Sequence, residues 1–160
     1  KYLYEVKDVF KEISKRYNII LRLVGAKSDF HIEGVNVEKK PWKIDTEIAW
    51  LSTFNIGIMP LTDDAWAKGK AGYKLLQYMS MGIPSVVSSV GFNKEIIQDG
   101  INGFLATKKE EWIKKLDLLI ENSQLRKEIG DKARATIEEN YSLNKAQEKL
   151  FNIIKKVNSL

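Results

Sequence analysis

Residues 55–105 read NIGIMPLTDDAWAKGKAGYKLLQYMSMGIPSVVSSVGFNKEIIQDGINGFL. An apolar run over 55–59 stops at Pro60. A polar loop follows and holds Lys68, Gly69, Lys70 and Gly72. Apolar residues at helical spacing (Leu75, Leu76, Met79) then start near Tyr73 and stop at Gly82. A second apolar run follows Pro84 and ends in Ser88, Ser89 and Gly91. The order is strand, loop, helix, strand, loop. In open α/β sheets, loops at the carboxyl ends of parallel strands are where ligands bind.

The same alternation continues on both sides of this stretch. Upstream, Leu3, Val6, Phe10 and Ile13 recur at spacings of three and four, which predicts a helix ending near Arg16. Residues 19–24 are β-branched and apolar and read as a buried strand closed by Gly25. A shorter strand is expected over 32–37. Residues 39–42 read as a connection, because Pro41 disfavours helix in the residue before it. A short helix is expected over 46–51 and a strand over 54–59. Downstream, 84–88 is the next strand, and 94–98 is a helical turn or two stopped by Asp99-Gly100. A short strand follows over 103–106, then a helix over 110–120. Two more helices start at Ser123 and Ser142.

This order predicts an α/β fold: a Rossmann-like, doubly wound, mostly parallel sheet in a three-layer α/β/α arrangement. The chain opens on a helix, whereas a doubly wound domain opens on a strand. One further strand is therefore expected upstream. Residues 1–141 read as the domain, and residues 142–160 as a separate C-terminal helix.

Composition narrows the function classes. At 160 residues the chain is one domain or a large piece of one. With no cysteine there is no disulfide and no thiolate metal site, which fits a reducing, cytoplasmic setting. The single histidine, His31, argues against a histidine metal site or a Ser-His-Asp triad. The net charge of +5 is carried largely by Lys and Arg alternating with Glu on the last helices. Solvated helix faces are the plain reading, and peripheral contact with an anionic membrane surface is the alternative. No basic-aromatic motif points to nucleic acid.

The chemistry gathers in the 68–74 loop. The amino end of the helix near Gly72 offers N–H groups and a helix dipole to an anion. Gly69 and Gly72 let the backbone approach closely, and Lys70 and Lys74 are the cations assigned to phosphates. Solvated lysines are the competing reading, and it holds for Lys68. Asp63 and Asp64 read either as contacts to hydroxyl groups or as ordinary turn residues. Glu95 opens a short helix, where either the dipole or a ligand accounts for it.

Residues 74–88, KLLQYMSMGIPSVVS, are followed by Val90-Gly91, by Glu95-Ile96-Ile97 and by 99–104, DGINGF. In order and spacing this series resembles the C-terminal, nucleotide-sugar-binding half of retaining glycosyltransferases of the glycosyltransferase-B fold. The resemblance is to family 4 and its relatives, the glycosyl transferases of group 1. It implies that the chain is one half of such a fold and holds the diphosphate of a nucleotide sugar. Lys70, Gly72, Tyr73, Lys74, Gln77, Gly91 and Glu95 are the implied donor-binding residues. Val37, Trp42 and Asp63 are the implied base or sugar contacts. The resemblance implies sugar transfer with retention, with the nucleotide sugar as donor substrate and neither cofactor nor metal.

The implied partner is an N-terminal acceptor-binding domain of the same polypeptide, and the fragment alone is expected to be inactive. No catalytic residue is assigned to it. Members of the family commonly carry two glutamates eight positions apart; here those positions are Gly69 and Gln77. A catalytically inactive nucleotide-binding or self-associating module is therefore the alternative expectation.

Overall fold

A computed structural model describes residues 2–26 and 29–158. The chain enters through a 3-10 turn, Tyr2–Val6, into α1, Lys7–Arg16. Then come β1, Leu21–Val24, β2, Val37–Lys40, and α2, Glu47–Leu51. The central stretch supplies β3, Gly57–Met59, α3, Ala65–Lys68, α4, Tyr73–Ser80, and β4, Ser85–Ser88. After it lie α5, Asn93–Ile96, β5, Phe104–Ala106, and α6, Lys109–Glu121. Two long helices, α7, Ser123–Asn140, and α8, Leu143–Asn158, complete the described chain.

All the strand pairs are parallel. β1 pairs with β2, and β3-β4-β5 forms a second sheet with β4 in its middle. β4 is buried at every residue, because helices cover both faces of the sheet. Successive side chains of a strand point to opposite faces. Val86 accordingly joins the cluster of α1, β1 and α6 (Phe10, Ile13, Leu21, Leu23, Trp112, Leu119). Val87 joins the cluster of α4 and α7 (Leu75, Met79, Ala133). Those two clusters are the layers on either side of the sheet. Burying each such aliphatic side chain contributes roughly 1.5–3 kcal/mol.

The helices are fixed by few specific contacts. α1 is tied to α6 through Arg16 and Asp117, at 2.8 Å, and through the Tyr17 hydroxyl donating to Glu121. In α6, Glu111 closes a capping box by accepting from the N–H groups of Thr107 and Lys108. Those two bonds hold its carboxyl below the ordinary glutamate value. At the start of β3, Gly57 lies under the Tyr78 ring, where a Cβ would meet ring carbon at 2.6 Å. Burial there pushes the Tyr78 phenol up to about 12.

Two expectations are shifted. The second strand falls at Val37–Lys40, so Lys39 and Lys40 lie in the strand and not in a connection. Pairing with β1 supplies the backbone bonds that make this polar segment extended. The loop after β3 contains α3, which the Asp64 side chain caps. No helix among the described residues is long and apolar enough to cross a membrane. α8 leaves Leu143, Leu150, Phe151, Ile153 and Val157 exposed along one stripe.

Within the layer of α4 and α7, Gly130 lies close against Gly82. A Cβ on Gly130 of α7 would lie 2.1 Å from the Gly82 carbonyl oxygen, at the turn between α4 and β4. In an open helix, glycine to alanine stabilises by about 1 kcal/mol. Here the opposite is expected: Gly130→Ala lowers stability by about 1–3 kcal/mol, since only backbone movement relieves the overlap. Urea unfolding of the two chains checks the sign.

Candidate functional site

The loops that leave the carboxyl ends of β3 and β4 face each other across a cleft. Pro60 ends β3, since it cannot donate to the ladder. The chain then reverses into α3. Asp64 caps that turn, accepting from the Ala67 N–H at 2.7 Å, and the Thr62 hydroxyl donates to the same carboxylate. Lys68 reaches back to Asp63 at 2.9 Å, in an exposed pair of small energetic weight. Gly72, at φ +64, turns the backbone into α4, and among the described residues no side chain caps that helix. The N–H groups of its first turn have no acceptor within the helix and carry its positive dipole end.

The facing loop is built on Ser88 and Gly91. The Ser88 hydroxyl oxygen accepts from the Leu61 N–H at 2.8 Å, which ties the loop after β3 to the end of β4. Gly91, at φ +52, brings its backbone so close to Lys68 that a Cβ would sit 2.8 Å from the Lys68 carbonyl oxygen. Asn93 is only 1% exposed, and its Nδ2 donates to the Ser88 carbonyl at 3.0 Å. Its Oδ1 has no partner among the described residues and faces Gly72, 3.6 Å from the point a Cβ would occupy.

Between the two loops lies a cavity of about 700 Å³. Asp63 and residues 68–71 line one wall; residues 89–92, Lys94 and Glu95 line the other. Its cations are Lys68, Lys70 and Lys94, and its carboxylates are Asp63 and Glu95. With Lys68 paired to Asp63, the remaining charge is an excess of cation that suits an anion. The Lys70 ammonium sits 3.9 Å from the centre of the Tyr2 ring, which holds it near the cleft.

The expected site residues divide into three groups. Asp63, Lys70, Gly91 and Glu95 line the cavity, and Gly72 forms the backbone behind it. Tyr73, Lys74 and Gln77 lie on the exposed or half-buried side of α4, where Gln77 Nε2 donates to the Tyr73 hydroxyl at 3.4 Å. Val37 on β2 and Trp42 after it lie apart from this cavity, and Trp42 is 55% exposed. The sequence reading missed Lys94, Ser88 and Asn93. No signal marks Asn93 in the sequence, because α5 is the short, mostly polar segment Asn-Lys-Glu-Ile.

The sequence model of a family described as glycosyl transferases group 1 matches residues 2–122. The chain is 25% identical over 169 aligned residues to a trehalose synthase of Pyrococcus horikoshii, covering 96% of this chain and 40% of that protein. It superposes on HepE of Anabaena, solved in complex with UDP-glucose, with a TM-score of 0.73 and 17% identity. That match covers 98% of this chain and 45% of HepE. It also superposes on the C-terminal domain of LpcC, a group 1 family glycosyl transferase of Francisella tularensis. There the TM-score is 0.57 and the identity 24%, covering 68% of this chain and 55% of that one. The chain thus spans less than half the length of the trehalose synthase and of HepE.

The cleft geometry depends on Gly91 and not on Gly69. Gly91→Ala is expected to lower stability by about 1–3 kcal/mol through overlap with Lys68 and a strained φ. It should also speed amide exchange across residues 64–70. A Cβ on Gly69 meets only carbonyl oxygens at 3.7 Å, so Gly69→Ala is expected to leave both measurements unchanged.

Proposed function

The chain belongs to the glycosyl transferases of group 1, and on that premise we propose that it is the donor-binding half of a nucleotide-sugar-dependent transferase. The observation that carries this reading is the cation-rich cavity at the carboxyl ends of β3 and β4, beside the uncapped amino end of α4. Diphosphate is the ligand chemistry that fits. Lys70 and Lys94 supply charge from opposite walls, and the first-turn N–H groups of α4 supply directed donors. As the bond from the sugar to the diphosphate breaks, negative charge grows on the departing oxygen. Fixed cations and N–H groups aimed there lower that barrier. With lysines in this role, we propose transfer that proceeds with retention and without a metal.

Glu95 lies in the same cavity as Lys70 and Lys94 and is suited to orient either of them, or to accept from a sugar hydroxyl. The acceptor side of the reaction is assigned to a second domain of a longer polypeptide. The exposed stripe of α8 is consistent with a surface for that domain. A second reading, a nucleotide-binding module without transfer activity, is favoured by Gly69 and Gln77 at positions where relatives of this type carry glutamates. It keeps the diphosphate site and differs only in turnover.

Calorimetric titration with UDP, ADP and GDP tests the reading. At least one is expected to bind, and Lys70→Ala is expected to weaken that binding about tenfold or more, as loss of a charge-assisted bond does. Equal affinity in the variant, or no binding by the parent chain, contradicts the assignment.

A further inference from the structure

One buried acceptor beside the cavity is left without a donor. Asn93 is 1% exposed. Its backbone N–H donates to the Val90 carbonyl at 3.3 Å, and its carbonyl accepts from the Ile97 N–H at 3.0 Å. Its Nδ2 donates to the Ser88 carbonyl at 3.0 Å. Oδ1 is bonded to nothing among the described residues. Turning the amide over brings no relief, since it sets Oδ1 against the Ser88 carbonyl, acceptor against acceptor. A buried acceptor without a donor is destabilising, and native structures keep few of them.

The neighbour of Oδ1 is the start of α4. Oδ1 lies 3.6 Å from the point a Cβ on Gly72 would occupy, and Phe92 Cδ1 and Ile96 Cδ1 lie 3.1 and 3.7 Å from the same point. The acceptor therefore faces the backbone of Gly72 with apolar side chains at its margins. The Gly72 carbonyl accepts from the Leu76 N–H at 3.0 Å and so opens the helix. The N–H groups of Gly72 and Tyr73 lie on either side of the Gly72 Cα. Gly72 sits at φ +64, and a glycine changes the sign of φ at little cost, so the peptide groups beside it are free to turn.

We propose that Asn93 is a positioning residue for the diphosphate site: when an anion docks at the amino end of α4, the backbone turns at Gly72 and the N–H of Gly72 or Tyr73 comes onto Asn93 Oδ1. This rests on the donor-binding reading above. The acceptor that is destabilising in the empty site is satisfied in the occupied one, and the difference adds to affinity. One N–H goes to Oδ1, and those after it in the first turn stay aimed at the anion. Because Nδ2 holds the end of β4, the same side chain then fastens both walls of the cavity. A carboxamide suits this place, since it offers an acceptor without setting a negative charge beside the anion. Asn93 touches no phosphate; it acts through the backbone donors that do.

The test is NMR of the isotope-labelled 160-residue chain, with inorganic pyrophosphate as the probe. In the free chain neither amide nitrogen, of Gly72 or of Tyr73, should show a through-hydrogen-bond coupling to Asn93 Cγ. At saturation one of them should, and its exchange with solvent should slow at least tenfold. Asn93→Ala is expected to weaken pyrophosphate about tenfold and to abolish the slowing. The coupling is read in the parent chain, so it decides the question even where the variant fails to fold. A side chain that only held Ser88 would give no ligand-dependent coupling. Coupling already present without pyrophosphate overturns the proposal. So does its absence at saturation, and so does Asn93→Ala binding within twofold of the parent; all three leave the donor-binding reading standing. Failure of the parent chain to bind pyrophosphate overturns both.

Discussion

Burial of β4 on both faces is the constraint on which the rest depends. Val86 and Val87 are each 0% exposed, and they face opposite layers. A strand that is dry on both sides must be apolar or have its polar side chains hydrogen-bonded, as Ser85 and Ser88 are, and must be flanked by strands that satisfy its backbone. β3 and β5 do this, and the helices follow from the need to cover both faces. The close contact of Gly82 with Gly130 lets α7 lie down on α4, closing the second layer. The segment 83–88 is therefore pinned at both ends, by a glycine turn at its start and by Ser88 at its finish.

That pinning is what makes a site of two loops. Ser88 accepts from the loop after β3 through its hydroxyl and from Asn93 through its carbonyl. Gly91 brings the second loop against Lys68. The cavity between them is thus held by the sheet and does not depend on long side chains finding one another. Of its cations, Lys68 ends α3, Lys70 lies between α3 and α4, and Lys94 lies in α5. Asn93 bonds the end of β4 through its Nδ2 and keeps a buried acceptor facing Gly72 at the start of α4.

Much of this was legible in the sequence because the apolar periods are clean. The runs around Ile58, Val86 and Phe104 are short, apolar and bounded by turn residues, and the stripes of α1, α6 and α7 follow period 3.6. β2 was misplaced because its residues, Val-Glu-Lys-Lys, carry no such pattern; pairing with β1 decides its conformation. α3 was missed because four residues are too few to show a period, and its stability rests on the Asp64 cap. Lys70 and Glu95 could be named because a loop cation and a first-turn carboxylate have recognisable chemistry, and Gly91 through the resemblance. Ser88 and Asn93 could not, because their role is to bond backbone groups that only the fold brings near. Tyr73, Lys74 and Gln77 lie on the matched helix, yet helix rotation puts them outside the cavity wall.

The central claim is that the cleft between the two loops is the ligand site of this domain. The most direct measurement is an amide NMR titration of the uniformly 15N-labelled chain with UDP. The account predicts shift changes concentrated at residues 68–73 and 89–95, saturating with one ligand. Changes centred on the groove of residues 14–19 at the opposite end of α1, or none at any ligand concentration, would contradict it.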